Sequence, residues 1–305
     1  MRILVTGGLG AVGVPLTREL RGRGHEVWVS DRAHHHEPQY ARCDVSEFHQ
    51  VEALFAQHGP FDYAYHLAAE FGRKNGEDFY ATLWKNNAIG TKNFIRMQER
   101  LGFRMIFASS SEIYGDYDSV MNEDVPDRVP IKQLNDYAMT KWVNEMQILN
   151  SARDFGTETV RVRLFNTYGP GEHYSDYRSA VCIFIYRALY NLPYCVYTRH
   201  QRSLSYIDDT VRTLANIVDR FRPGSVYNIA GLELYEMKHV SDLVLRQLGK
   251  TDRLVTYKEL EPATTLVKKV DAGRAVAEID HRPTVDLEEG LSRTIAWQRK
   301  VYGLE

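Results

Sequence analysis

The chain has 305 residues, 44% of them hydrophobic and 26% charged, proportions that suit a globular protein with a sizeable core. Its 38 Lys and Arg against 40 Asp and Glu leave a net charge of −2, so neither nucleic acid nor an anionic membrane is an expected partner. A mean hydropathy of −0.41, no apolar run of bilayer-spanning length and three cysteines without metal spacing exclude membrane-spanning, disulfide-stapled and disordered classes.

In chain order, residues 2–6 read as a buried strand that stops at glycines, 12–23 as a helix and 25–30 as a second strand. A third strand ends before Cys43, and 44–57 has helical spacing. A strand at 62–66, a long helix at 78–101, a strand at 104–109, a long helix at 136–155 and a strand at 157–164 follow. Strands alternating with helices predict an α/β fold, a Rossmann-type doubly wound parallel sheet. Beyond about Pro170 the elements shorten and Gly, Pro, Tyr and Arg increase. Residues 1–166, with a returning helix near 206–221 inside about 201–225, are expected to form a dinucleotide-binding domain. Residues 167–200 and 226–305 should then mainly form a smaller C-terminal α/β substrate lobe. Met1-Arg2 runs straight into the first strand, so no leader is expected, and free cysteines suit a reducing, cytoplasmic setting. His34, His35 and His36 are adjacent on one loop and converge poorly on a single ion, so no metal site is expected.

Thr6-Gly7-Gly8-Leu9-Gly10-Ala11-Val12-Gly13 lies between the first strand and the first helix, the context in which a glycine loop cradles a pyrophosphate. Gly7 permits the turn, Gly10 lets the backbone approach the anion, and Gly13 lets helix and strand pack closely. Asp31 ends the second strand 18 residues after Gly13, where a carboxylate accepts hydrogen bonds from a ribose. It favours NAD because it would repel a 2′-phosphate; Arg32 and the histidines after it keep NADP open. Asp44, in Cys43-Asp44-Val45, suits either an adenine amino group or, like Ser46, the N-cap of the following helix.

Tyr137 and Lys141 are four residues apart on one helix face, and an ammonium there should lower the phenol's pKa enough for proton exchange with a substrate hydroxyl. Ser109-Ser110-Ser111-Glu112 follows a strand end, where ligands of doubly wound sheets lie. Ser110 could hold the same substrate oxygen and Glu112 could serve a neighbouring carbon as acid or base; alternatively both only cap the next turn.

These residues resemble the extended short-chain dehydrogenase/reductases that modify nucleotide sugars. The resemblance runs through TGGLGAVG (6–13), Asp31, CDV (43–45), YHLAAE (65–70), NNAIGT (86–91), SSSEIYGD (109–116) and YAMTK (137–141). It continues through RLFNTYGPGE (163–172), RSLSYIDD (202–209), YNIAG (227–231) and LEEGL (287–291). It implies bound NAD, a nucleoside-diphosphate sugar and transient oxidation at C4 of the sugar, with no net redox change. By resemblance Gly7, Gly10, Ala11, Val12, Gly13, Asp31, Arg32, Asp44 and Val45 bind the cofactor with Leu67, Ala68, Ala69, Asn87 and Lys141. Ser110, Glu112, Tyr137 and Lys141 are catalytic, and Ser111, Asn166, Arg178 and Arg202 meet the substrate. The two long helices occupy positions that pair across a two-fold axis in the family, which implies a homodimer.

The resemblance also orders the reactions. Glu112 favours a 4,6-dehydratase or a UDP-glucuronate decarboxylase over an epimerase. Ser111 stands where dehydratases of dTDP-glucose carry an acid, and the Ser-Glu pair is closer to GDP-mannose dehydratases and decarboxylases. A 4,6-dehydratase is the first expectation, a decarboxylase or a C4 or C3/C5 epimerase the alternatives, and a non-catalytic NAD(H)- or sugar-nucleotide-binding regulator the least favoured. Decarboxylation needs a pocket cation for the C6 carboxylate, for which Arg73, Arg178 and Arg202 are candidates. Nineteen tyrosines are many for this length. Those at 168, 174, 177, 186, 190, 194 and 197 fall in the expected substrate lobe and could line its cleft.

Overall fold

The computed structural model describes residues 1–304. Its strands are β1 (Arg2–Thr6), β2 (Glu26–Asp31), β3 (Tyr40–Arg42), β4 (Tyr63–His66), β5 (Arg104–Ser110), β6 (Thr159–Leu164) and β7 (Thr167–Tyr168). After these come β8 (Tyr194–Tyr197), β9 (Gln201–Ser203), β10 (Ser205–Tyr206), β11 (Val226–Ile229), β12 (Leu234–Glu236), β13 (Val255–Lys258) and β14 (Val267–Lys268). The helices are α1 (Gly13–Gly22), α2 (Phe48–His58), α3 (Arg73–Asp78), α4 (Tyr80–Trp84), α5 (Gly90–Leu101) and α6 (Val125–Arg128). The rest are α7 (Asp136–Phe155), α8 (Ala180–Leu189), α9 (Ile207–Asp219), α10 (Met237–Leu248), α11 (Gly273–Ile279) and α12 (Leu287–Val301).

Seven parallel strands form the main sheet in the order β11-β6-β5-β4-β1-β2-β3. The order turns back between β1 and β4, the position at which a doubly wound sheet opens a crevice beyond its strand ends. Strand alternation sorts the core. Ile3 and Val5 join Leu16, Leu20, Ile106, Val160 and the α9 side chains on one face, while Leu4 joins Phe55, Phe94, Phe103 and Phe107 on the other. Strand β11 completes this sheet, so residues 226–229, expected in the substrate lobe, belong to the first half. The second lobe holds the β12-β9-β14 sheet and the parallel β8–β13 pair, with α8 and α10 packed together beside β8.

Helix α7 matches its expected bounds: the Asn135 side chain caps it by accepting from Ala138 N at 2.8 Å, and Gly156 ends it at φ +68°. The single helix expected over 78–101 is instead broken at Phe79 and widened into a π turn at Lys85–Ile89. That turn carries Asn87, whose side chain bonds away from the helix, a common use of such widenings. Helix α2 starts four residues later than expected because Asp44 Oδ1 accepts from Ser46 N (2.9 Å) and Ser46 Oγ (2.7 Å) in a local turn. Strand β6 starts at Thr159, after the turn that ends α7. Among the described residues no helix is long and apolar enough to cross a membrane, and Cys43, Cys182 and Cys195 are unpaired thiols.

Candidate active site

A cleft of about 1290 Å³ runs along the carboxyl ends of the strands and between the two halves. Its first portion is the glycine loop. A Cβ on Gly13 would lie 2.3 Å from the Gly7 carbonyl oxygen, so only glycine lets α1 start this close to β1. Gly7 turns at φ +64°, and a Cβ there would meet Ala68 N at 2.8 Å. Gly7, Gly10, Ala11, Val12 and Gly13 line the cleft with Asp31, Arg32, Asp44, Val45, Leu67, Ala68 and Ala69. Asp31 accepts from Leu9 N (3.2 Å) and Arg32 N (2.8 Å), which fixes its carboxylate at the groove. The Arg32 side chain crosses to Glu70 at 3.0 Å.

Asn87, which the resemblance assigns both to the cofactor contacts and to fixing the main chain beside the active site, lies behind the cleft wall. Fully buried, it accepts from Glu70 N (2.8 Å) and donates to Glu70 O (2.9 Å) and Thr140 Oγ1 (3.1 Å), so it positions the cleft wall through the main chain.

At the far end Ser110, Ser111, Glu112, Tyr137 and Lys141 come together as expected. Ser110 Oγ accepts from Glu112 N at 3.2 Å, capping the short turn Ser111–Tyr114, and its hydroxyl acts on the Tyr137 phenol to lower its pKa against burial. The capping reading of Ser110 is what its side-chain bond shows. The expected acidification of Tyr137 is not what the structure gives. Burial pushes the phenol up to about 12, and Lys141, which donates to Ala108 O at 2.8 Å with Nζ 5.9 Å from the Tyr137 ring centroid, is pushed down to about 8. Desolvation dominates both shifts.

Glu112 shows what sequence reasoning missed. Its Oε1 receives a hydrogen bond from Lys268 Nζ, whose side chain is 2% exposed, and Asn135 Nδ2 approaches Oε2 at 3.4 Å. Burial opposes the charge, but Lys268, with Arg73 and Arg202 beyond it, holds the carboxyl below its ordinary value of 4.5. Lys268 pairs in register with Arg202 across β14 and β9. The only sequence signal for it was the alternation in Val267-Lys268-Lys269-Val270, which turns Lys268 inward and Lys269 out.

The remaining candidates all line the cleft. Asn166, at φ +39°, donates to Ser203 O at 3.1 Å, and the Arg178 guanidinium lies 4.3 Å over the Phe71 ring. Arg202, expected to offer a free fork to phosphate, is committed: Nη1 donates to Gln201 O (2.8 Å) and Leu266 O (2.7 Å), and Nη2 contacts His200 Nδ1 (2.9 Å). The tyrosine excess divides. Tyr168, Tyr177, Tyr194 and Tyr197 line the cleft, whereas Tyr186 stacks on Tyr174 at 3.6 Å and meets Tyr190 and Tyr302 outside its wall. Among the described residues no group of three or more His, Cys, Asp or Glu could hold a metal.

Residues 3–230 match the family model described as the NAD dependent epimerase/dehydratase family. The chain is 31% identical to UDP-glucuronic acid decarboxylase 1 of Xenopus tropicalis, over 98% of this chain and 72% of that protein. It is 24% identical to dTDP-glucose 4,6-dehydratase of Salmonella typhimurium, over 97% and 92%. Among solved structures, MoeE5 in complex with UDP-glucuronic acid and NAD superposes with a TM-score of 0.87 at 25% identity, over 99% of this chain and 100% of that one. A seven-stranded Rossmann-type sheet, an intact Ser110, Tyr137 and Lys141 group and these matches agree: the chain belongs to the NAD-dependent epimerase/dehydratase family, whose members are enzymes acting on nucleotide sugars.

Proposed function

We propose that the protein decarboxylates a nucleoside-diphosphate hexuronate, with NAD held in the glycine-loop groove. The observation that carries this reading is the Lys268–Glu112 pair, set in the field of Arg73 and Arg202 and beside Ser111 rather than a second acid. Cations around the sugar end suit a substrate carboxylate, and the decarboxylases among its relatives support the same choice.

The close-packed glycines, the bare start of α1 and Asp31 at the groove fit a dinucleotide. Gly7, Gly10, Ala11, Val12 and Gly13 would hold its pyrophosphate, Asp31 its ribose, and Leu67, Ala68 and Ala69 the opposite wall. When bound, NAD supplies a hydride acceptor and later donor for C4, and a positive charge. Tyr137 takes the C4 hydroxyl proton, while Ser110 holds the same oxygen; the positive charge of bound NAD, added to the Lys141 ammonium, would offset the burial that raises the phenol. The resulting C4 ketone is β to the C6 carboxylate. The C5–C6 bond then breaks, CO₂ leaves, and its electron pair forms a C4 enolate that Tyr137 and Ser110 stabilise by hydrogen bonds. Solvent water beside the ionised Glu112 carboxylate gives C5 its proton, the hydroxide left behind combines with the released CO₂ as bicarbonate, and the C4 oxygen regains its own proton from Tyr137 as the hydride returns to C4. Arg73 holds the carboxylate before the bond breaks, and the Lys268–Glu112 pair and Arg202 form the charged wall behind it.

A second reading, 4,6-dehydration, draws on the ionised Glu112, which can take a C5 proton; it lacks an acid at position 111 to assist hydroxide leaving C6. We also infer a homodimer through α5 and α7, since α7 exposes Met139, Leu149 and Phe155. Incubation of the purified protein with UDP-glucuronate, UDP-glucose, dTDP-glucose and GDP-mannose separates the reactions. Loss of one CO₂ from the uronate supports this reading, and loss of one water from a neutral sugar supports the second. An isomer of unchanged mass would mean epimerisation, and no turnover on any of them a regulator.

A further inference from the structure

Between β13 and β14 the chain crosses the cleft mouth as a strap, residues 259–266, and is tied to the Rossmann half at three points. Arg73 Nη2 meets Glu261 Oε1 at 2.5 Å and Nη1 donates to Pro262 O at 3.2 Å. Asn135, which caps the catalytic helix α7, donates to Ala263 O at 3.2 Å, and Thr265 Oγ1 donates to Gly115 O at the end of the Ser111–Tyr114 turn. Ala263 holds φ +54°, a left-handed conformation disfavoured for a non-glycine residue. On its own lobe the strap is joined by Glu261 N, which donates to His200 Nε2 at 3.0 Å.

The cations facing the sugar end differ in how free they are. The Arg202 fork donates to main-chain oxygens that cannot leave, and Lys268 is committed to Glu112. Arg73 is held by a side-chain carboxylate from a part-exposed strap: the two side chains are 19% and 31% exposed. An arginine fork accepts any planar or tetrahedral anion with similar geometry. Replacing one carboxylate by another leaves the local charge unchanged, and Glu261 can turn to water.

We propose that Glu261 is the resting counter-ion of a substrate-recognising arginine: an anionic group of the substrate exchanges with the Glu261 carboxylate on Arg73, and the strap releases the Rossmann half as it does so. This rests on the reading of the substrate as a nucleotide sugar. The anion is the uronate carboxylate or the diphosphate, and the test distinguishes them.

Calorimetric titrations of UDP-glucuronate and UDP-glucose are made into NAD-loaded protein carrying Tyr137→Phe to stop turnover, alone and with Glu261→Gln or Arg73→Gln. Removing the competing carboxylate in Glu261→Gln should tighten UDP-glucuronate about two- to fivefold, the range of one part-exposed ion pair. Arg73→Gln should weaken it by about tenfold or more. UDP-glucose unchanged in both assigns the exchange to the uronate carboxylate; both ligands moving together assigns it to the diphosphate. Amides of 259–266 should exchange hydrogen faster once the ligand is bound. Unchanged or weakened binding of both ligands in Glu261→Gln, or slower strap exchange with ligand, overturns the proposal. Should UDP-glucuronate show these shifts yet leave wild-type protein with its mass intact, the exchange stands and the decarboxylase reading fails. Should CO₂ be lost while Glu261→Gln binds like its parent, the reverse holds.

Discussion

Two acidic side chains, Glu145 within α7 and Glu112 in the turn that follows β5, are both paired with cations but to different degrees. Glu145, with no exposed side-chain surface, accepts from Arg161 (3.1 Å), twice from Arg163 (3.1 and 2.8 Å) and from Ser109 Oγ (2.6 Å), and Arg163 reaches on to Tyr114 and Glu123 O. Glu112 has one full partner, Lys268, and its other oxygen faces the cleft with only a long contact to Asn135. Both carboxyls are held below their ordinary pKa against burial, Glu145 chiefly by Arg163 and Glu112 chiefly by Lys268. A charge whose lone pairs are all occupied fixes the fold; one left open beside the cleft is available for chemistry.

This contrast breaks first at Glu145. Its replacement by alanine strands two buried guanidinium groups and should cost about 3–5 kcal/mol, read as a lowered urea midpoint or loss of soluble protein. An unchanged midpoint would remove the structural role. Glu112→Gln keeps an oxygen for Lys268 Nζ, so it should cost less stability than Glu145→Ala while losing about 10²–10⁴ in kcat. A variant that keeps its turnover would return Glu112 to the role of a turn cap.

Lys268→Met sharpens the comparison by leaving Glu112 buried without its cation. The carboxyl pKa then rises, so the acid limb of kcat/KM, below 4.5 in the wild type, should move to higher pH, with about a tenfold loss at neutral pH. A limb that stays in place contradicts the pairing. The smallest effect concerns Lys141. With its pKa lowered to about 8 by burial, the ammonium is lost as pH rises through that value, so kcat should fall on the alkaline side. Lys141→Arg, which stays charged, should move that limb upward. The sign of the stability effect also follows: the unfolded lysine binds its proton up to 10.5, so this group favours folding more as pH rises from about 8 to 10.5.

Much of the first half was legible because its determinants are local. The glycine loop, Asp31 and the Tyr137–Lys141 spacing each lie within one strand-to-helix passage, and α7 carries its cap and stop in sequence. Lys268 was not legible. It reaches Glu112 from 156 residues away on a two-residue strand, and next to Lys269 it reads as part of a solvated face. Arg202 was recognised as a cleft residue, but not the carbonyls of Gln201 and Leu266 that occupy its fork, because loop closure decides them. The π turn in the helix expected over 78–101 was hidden for a similar reason: Asn87 is drawn to the Glu70 main chain, outside its own helix. The aromatic excess did not by itself divide: only side-chain packing separates the tyrosines of the cleft from the Tyr174, Tyr186, Tyr190 and Tyr302 cluster.

The most direct test of the decarboxylase reading is the product mass after NAD-loaded protein is incubated with UDP-glucuronate. Loss of one CO₂ from the wild type, and no loss from Tyr137→Phe, is the expected result. An unchanged mass with UDP-glucuronate, together with loss of water from a neutral nucleotide sugar, would contradict it and make the Glu112 carboxylate the base of a dehydratase.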